Sequence, residues 1–230
     1  MDVRLVDCRP REAYVAGHLP GAVHADPEGD LTGREGGGRH PLPTAEAFAA
    51  WASRAGIGPT TLVVGYDEGT GWAARLWWLL RHFGHDAAGT IGFRTWQGPL
   101  ATAEEQPAAA AFVPRPRNDD TATADELLAR LGDERLILLD ARAPERWRGE
   151  VEPIDKVAGR IPGARNLPYE RSSPVPDELL EAEELVVYCG SGVTACVDLL
   201  ALSLAGRPDA RLYPGSWSEW SSLGLPLERG

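Results

Sequence analysis

Short apolar runs alternate with helical stretches along the whole chain, and a cysteine closes one of those runs. Val3-Arg4-Leu5-Val6-Asp7, Thr61 to Tyr66, Arg135 to Leu139 and Leu185 to Tyr188 are aliphatic or β-branched and predict buried strands. Ala88 to Ile91 predicts another short one. Arg9 to Val15 predicts a short helix. Thr44 caps a helix through Ala55, with Glu46 in its first turn and Ala47, Phe48 and Trp51 at helical spacing. Trp72 to Phe83 predicts an apolar helix ended by Gly84, and Thr123-Ala124-Asp125-Glu126 opens a helix in capping-box style. From Val193 onward, Val197, Leu199, Leu200, Leu202 and Leu204 predict a helix closed by Gly206, with Pro208 behind it. Gly29 to Pro43 is glycine-rich and reads as irregular.

The pattern occurs twice. Val6-Asp7-Cys8-Arg9 matches Leu139-Asp140-Ala141-Arg142, and His18-Leu19-Pro20-Gly21-Ala22 matches Arg160-Ile161-Pro162-Gly163-Ala164. Gly65-Tyr66-Asp67 matches Val187-Tyr188-Cys189, and Phe93-Arg94-Thr95-Trp96 matches Trp217-Ser218-Glu219-Trp220. The offset varies between markers, so insertions separate two copies of one unit. Alternating strands and helices make each copy an α/β domain with a mainly parallel sheet flanked by helices. Ala101 to Thr121 lacks periodicity and is rich in alanine, glutamate and proline, which marks a linker. The expected division is a first domain over 1–100, a linker over 101–121 and a second domain over 122–230. The first copy carries Asp67 where the second carries Cys189, so thiol chemistry is confined to the second.

Composition narrows the function. The chain of 230 residues is 43% hydrophobic and 25% charged, enough for a substantial core. No apolar run approaches the roughly 18 residues of a membrane span, and no basic-then-apolar leader is visible, so a cytoplasmic protein without membrane association is expected. A net charge of −11 argues against nucleic acid as a partner and requires a local arginine cluster for any anionic substrate. Three cysteines and five scattered histidines, without Cys-x-x-Cys, suggest neither a disulfide framework nor a metal site.

Cys189 stands where a strand hands over to a helix. A thiol attacks only as its thiolate, and main-chain N–H groups at a helix N-terminus stabilise an anion. Gly190 and Gly192 let the backbone curl into such a ring, and Ser191 adds a hydroxyl. The other reading of Cys189 is an inert core cysteine at a strand end.

Together, Asp-x-Arg, the His-Leu-Pro-Gly-Ala loop, Gly-Gly-Gly-Arg-His-Pro-Leu-Pro, Gly-Ser-Trp-Ser-Glu-Trp and Cys189 to Ala195 resemble the two-domain type of the rhodanese family of sulfurtransferases. The resemblance implies two tandem rhodanese-like domains, with catalysis in the second and a persulfide on Cys189 as the covalent intermediate, without any cofactor. It implies a small anionic sulfur donor and an acceptor that is a thioredoxin, a small thiol or, in vitro, cyanide. The loop lacks the basic residues typical of members acting on thiosulfate and is similar to that of 3-mercaptopyruvate sulfurtransferases; thiosulfate as main donor is the alternative. In similar enzymes the serine works with an aspartate and a histidine, which carries over here onto Ser191, Asp7 and His18. Arg142 is expected to seat the donor's carboxylate, with Arg146 on the same face and Arg148 less so. Gly190, Gly192, Val193 and Thr194 complete the expected substrate contacts. Arg160 replaces the usual histidine of its loop, as a further cation near the site or an exposed residue. Cys196 reads as helix core, or as a redox partner of Cys189. Trp217 and Trp220 read as packing residues. A phosphatase of the same fold would need an arginine where Ala195 stands, and a non-catalytic regulatory module would not need Cys189 at all.

Overall fold

The computed structural model describes residues 2–230. The chain divides into two units: one runs up to Arg34 and resumes over Leu42–Arg117, the other combines Glu35–Pro41 with Asn118–Gly230.

In the first unit, β1 (Val3–Asp7), α1 (Arg11–Ala16), β2 (Val23–His24), α2 (Ala45–Arg54), β3 (Leu62–Asp67), α3 (Trp72–His82) and β4 (Ala88–Gly92) follow in chain order. Their sheet is parallel throughout, ordered β2-β1-β3-β4. The alternation read from the sequence explains this: parallel neighbours need crossovers, and helices supply them. Thr44 Oγ1 accepts the Ala47 N–H and starts α2 as its residue type predicts. The face of α3 carrying Leu76, Leu79 and Leu80 is fully buried.

The second unit repeats the plan. After α4 (Ala124–Ala129), begun by Thr123 accepting the Glu126 N–H, come β5 (Leu136–Asp140), α5 (Pro144–Trp147), β6 (Arg165–Asn166), α6 (Asp177–Leu180), β7 (Glu184–Tyr188), α7 (Ala195–Leu204), β8 (Arg211–Leu212) and α8 (Ser216–Ser222). The sheet order is β6-β5-β7-β8, again parallel. Register aligns the strand ends in both copies: Asp7 lies beside Tyr66, and Asp140 beside Tyr188. Chain emerging past Tyr188 therefore leaves at the carboxyl edge of the sheet, where parallel sheets carry their sites. Trp217 and Trp220 lie in the core with Val186 and Tyr188, fully buried.

As compact units the two halves take in more chain than the two expected domains alone. The linker segment is fastened to the first unit as far as Arg117. His18 and Ala101 exchange both main-chain bonds at 2.9 Å, Ala110 N–H donates to Ser53, and Arg115 and Arg117 N–H donate to Phe83 and His82. Phe112 sets its ring edge-on against Phe48 at 5.7 Å. Main-chain bonds, the Phe112 ring and the ion pairs of Arg117 with Asp86 and of Arg11 with Glu104 hold this strap, and none of these leaves a periodic pattern in the sequence. The glycine-rich stretch, in turn, contributes Glu35–Pro41 to the second unit. Among the described residues no helix is long and apolar enough to cross a membrane.

Candidate active site

Cys189 follows β7 directly, with Val193 and Thr194 leading into α7. The Gly192 N–H donates to Cys189 Sγ at 3.1 Å, so the sulfur faces a main-chain amide rather than hydrocarbon alone. Gly192 sits at φ +78°, and a Cβ there would stand 2.5 Å from the Pro214 carbonyl oxygen; only glycine fits that turn. The loop is braced from α8. Cys189 N–H donates to Ser216 Oγ at 3.2 Å, Trp217 N–H to the Cys189 carbonyl at 3.0 Å and Ser218 N–H to the Gly190 carbonyl at 2.9 Å. Ser216 has φ +55°, a left-handed conformation costing a serine on the order of 1–3 kcal/mol, and its Oγ is fixed by donating to the Tyr213 carbonyl at 2.9 Å. Backbone strain is thus held where the cysteine loop must keep its shape.

The other cysteines are placed differently. Cys8 is fully buried, and burial pushes its thiol well above the usual range, with Asp67 and Asp7 adding to the effect. Cys196 is fully buried in α7 and donates to the Gly192 carbonyl at 3.3 Å, which suits a packing role.

Ser191 is 7% exposed, and its Oγ lies 2.7 Å from His40 Nδ1. The expected partners are engaged elsewhere, within the first unit. Asp7 accepts from Arg9 Nη2 at 2.7 Å and from the Tyr66 hydroxyl at 2.9 Å. His18 meets the Tyr14 carbonyl through Nδ1 at 2.8 Å and stacks on the Tyr14 ring, while its Nε2 is buried without a hydrogen bond. Asp7 and His18 are not bonded to each other. The histidine beside Ser191 comes instead from Gly-Gly-Gly-Arg-His-Pro.

That stretch docks because its glycines are bare. A Cβ on Gly38 would stand 2.5 Å from the Gly215 carbonyl oxygen, and one on Gly37 would overlap the Glu219 carboxylate. Arg39 N–H then donates to Ser218 Oγ at 3.1 Å. His40 follows, 151 residues before its hydroxyl partner.

The arginines divide by role. Arg142 is 2% exposed, with each of its three nitrogens hydrogen-bonded. It donates to Asp140 at 2.6 Å, to the Gly159 carbonyl at 2.8 Å and to Glu152 at 3.2 Å, and lies 4.8 Å over the Trp217 ring. Burial works against its charge, but Asp140 more than offsets this and holds the guanidinium above its usual value. The first copy repeats the arrangement without any cysteine: Arg9 donates to Asp7 and to the Gly17 carbonyl, both at 2.7 Å. Asp-x-Arg is thus a brace common to both sheets, and with all three Arg142 nitrogens already bonded within the protein no parallel pair of N–H donors is left for the expected carboxylate. Arg146 does face the site. A Cβ on Gly190 would lie 3.4 Å from Arg146 Nη2 and 3.0 Å from Arg39 Nη2. Arg142, just before α5, and Arg146, within it, converge on Glu152. Burial tends to raise the Glu152 carboxyl, but Arg146 and the main-chain N–H groups of Asp155 and Ile154 outweigh it and hold it below its ordinary value. Arg148 pairs with Glu150 at the surface. Arg160 is buried, ties Glu228 and the Gly230 carbonyl, and is no site cation.

The first copy fills its own loop. Asp67 accepts from Gly69 N–H at 2.8 Å and Ala73 N–H at 3.0 Å, so a carboxylate takes amides of the kind that face the sulfur in the second copy. Among the described residues no cluster of His, Cys, Asp and Glu is arranged to hold a metal ion.

Residues 1–97 and 123–223 each match the family described as "Rhodanese-like domain". The chain is 42% identical, over 95% of its length and 89% of the relative's, to a Pseudomonas aeruginosa protein named "Probable 3-mercaptopyruvate sulfurtransferase". It is 37% identical to the human 3-mercaptopyruvate sulfurtransferase, over 94% of this chain and 81% of that protein. The crystal structure of SseA from Escherichia coli, described with the rhodanese fold and mechanism of 3-mercaptopyruvate sulfotransferases, superposes with a TM-score of 0.79. It is 28% identical, covering 94% of this chain and 93% of that one.

Proposed function

The chain belongs to the rhodanese-like domain family, with two such domains in tandem, and we infer that it is a sulfurtransferase working through a persulfide on Cys189. The observation carrying this reading is the Cys189 sulfur accepting an amide N–H in a braced loop, beside a hydroxyl–imidazole pair. In the first half-reaction the Cys189 thiolate attacks the sulfur of 3-mercaptopyruvate. The S–S bond forms as the C–S bond breaks, and the electron pair leaves on the pyruvate enolate. The proton of the donor thiol passes to that enolate, giving pyruvate, with Ser191 and His40 as the relay. In the second, an acceptor thiolate attacks the outer sulfur, leaves with it as a persulfide and restores the Cys189 thiolate. A small thiol or a thioredoxin serves as acceptor, and cyanide serves in vitro. Three free cysteines suit a reducing compartment such as the cytoplasm.

The charges around the loop favour a keto acid over thiosulfate. Arg142 with Asp140, Arg146 with Glu152 and Arg39 with Asp155 form three ion pairs that leave no net charge, and the loop itself adds no cation. A dianionic sulfonate gains little there, whereas a monocarboxylate needs one fork of N–H donors. Steady-state kinetics with both donors and one acceptor test this: parallel ping-pong lines and a higher kcat/KM for 3-mercaptopyruvate are expected, and a preference for thiosulfate contradicts the donor assignment.

A further inference from the structure

We propose that Arg39 is a specificity-determining residue that binds the carboxylate of the sulfur donor together with Arg146, exchanging its internal counter-ion Asp155 for the substrate. The proposal rests on the sulfurtransferase reading of Cys189. Its basis is the placement of Arg39. The guanidinium reaches the loop residue next to the nucleophile, with Nη2 3.0 Å from the position of a Cβ on Gly190, and Arg146 Nη2 and Nη1 stand 3.4 and 3.6 Å from the same point. Two cations meeting over one glycine repel unless an anion lies between them. Asp155 is that anion: Oδ1 pairs with Arg39 Nη1, and Oδ2 lies 3.8 Å from Arg146 Nη2. The match is incomplete, because Asp155 Oδ2 is buried with no hydrogen bond. Arg39 differs from Arg142 in having a fork of donors to spare. Among the described residues its side chain bonds only Asp155, through Nη1, so Nε and Nη2 make no protein hydrogen bond, and the side chain is 30% exposed. A carboxylate arriving from solvent can take two parallel N–H bonds from that fork, which a single Asp155 oxygen does not. Glycine at 190 leaves room for the approach.

The test compares two donors that share a thiol and a ketone: 3-mercaptopyruvate, and 1-mercaptopropan-2-one, which lacks the carboxylate. Arg39→Gln should lower kcat/KM for the keto acid, mainly through KM, by about tenfold or more, the scale of one lost charge-assisted hydrogen bond. The same variant should leave 1-mercaptopropan-2-one within about twofold of the unaltered protein, and Arg39→Lys should fall between, keeping charge but not the fork. Equal losses on both donors, or no loss on either, overturn the proposal for Arg39 while the unaltered protein still loads sulfur. If the unaltered protein acquires no sulfur on Cys189 from either donor, the sulfurtransferase reading falls and the proposal falls with it.

Discussion

His40 Nδ1 lies 2.7 Å from Ser191 Oγ, joining the second residue after the cysteine to a histidine from a glycine-rich turn far earlier in the chain. A hydroxyl beside an imidazole can pass a proton in either direction, and transfer from mercaptopyruvate must move one from sulfur to carbon. Transfer from thiosulfate releases sulfite and needs no proton on carbon.

Ser191→Ala and His40→Gln should therefore each reduce 3-mercaptopyruvate turnover by about 10²–10⁴, the usual contribution of a positioned acid or base, and reduce thiosulfate turnover much less. Because the two act as one unit, the double variant should be little worse than either single one. Equal losses on both donors would contradict the relay. His18→Gln, by comparison, should change stability rather than the ratio of donors, since His18 is buried against Tyr14.

Arg142 and Asp140 form a buried ion pair at 2.6 Å, with side chains 1% and 0% exposed. Arg142→Ala leaves Asp140 uncompensated in the core and should destabilise the second unit by about 3–5 kcal/mol. Arg142→Lys should not restore it, because an ammonium lacks the planar fork that meets Asp140 through both Nε and Nη2 while also reaching Glu152 and the Gly159 carbonyl. Denaturant unfolding checks this. A stable Arg142→Ala variant with an isolated rise in KM for the keto acid would return Arg142 to the substrate-binding role.

Asp198, on α7, is fully buried, and neither carboxyl oxygen has a hydrogen-bond partner. Burial lifts this carboxyl well above its ordinary range, and the Cys189 sulfur and Asp140 push the same way, while Ser172 offsets them only in part. The unfolded chain ionises Asp198 in the normal carboxylate range; the folded chain does so only at higher pH. Its contribution to stability is therefore full at low pH and is lost as pH rises toward the folded value. Asp198→Asn removes that loss. Its Tm relative to the unaltered protein should rise between about pH 4 and about pH 8, each recovered kcal/mol adding about 2–4 °C. A Tm difference that does not change with pH would contradict the assignment.

The strands at Val3–Asp7 and Glu184–Tyr188 and the capped helix after Thr44 were legible because apolar runs and a side-chain cap are local signals. The cysteine loop was legible for the same reason. His40 and Arg39 were not, although their stretch was visible as a motif: what matters is where bare glycines let it dock, and contacts between Gly38 and Gly215 have no local signature. Asp-x-Arg shows the converse. Its residues were found at once, but the role of Arg142 depends on partners at Glu152 and Gly159, and its twin at Arg9 serves a copy with no nucleophile. The packing of Ala101 to Arg117 against the first unit is not legible in the sequence for a third reason, since main-chain pairing with His18, Ser53 and Phe83 requires no particular side chains.

The most direct test of the whole account is the intact mass of the protein after brief exposure to 3-mercaptopyruvate without acceptor. The unaltered protein should gain the mass of one sulfur atom, located on Cys189 and removed by cyanide or a thiol, and Cys189→Ser should gain nothing. A sulfur retained in Cys189→Ser, or carried on Cys8 or Cys196, would contradict it.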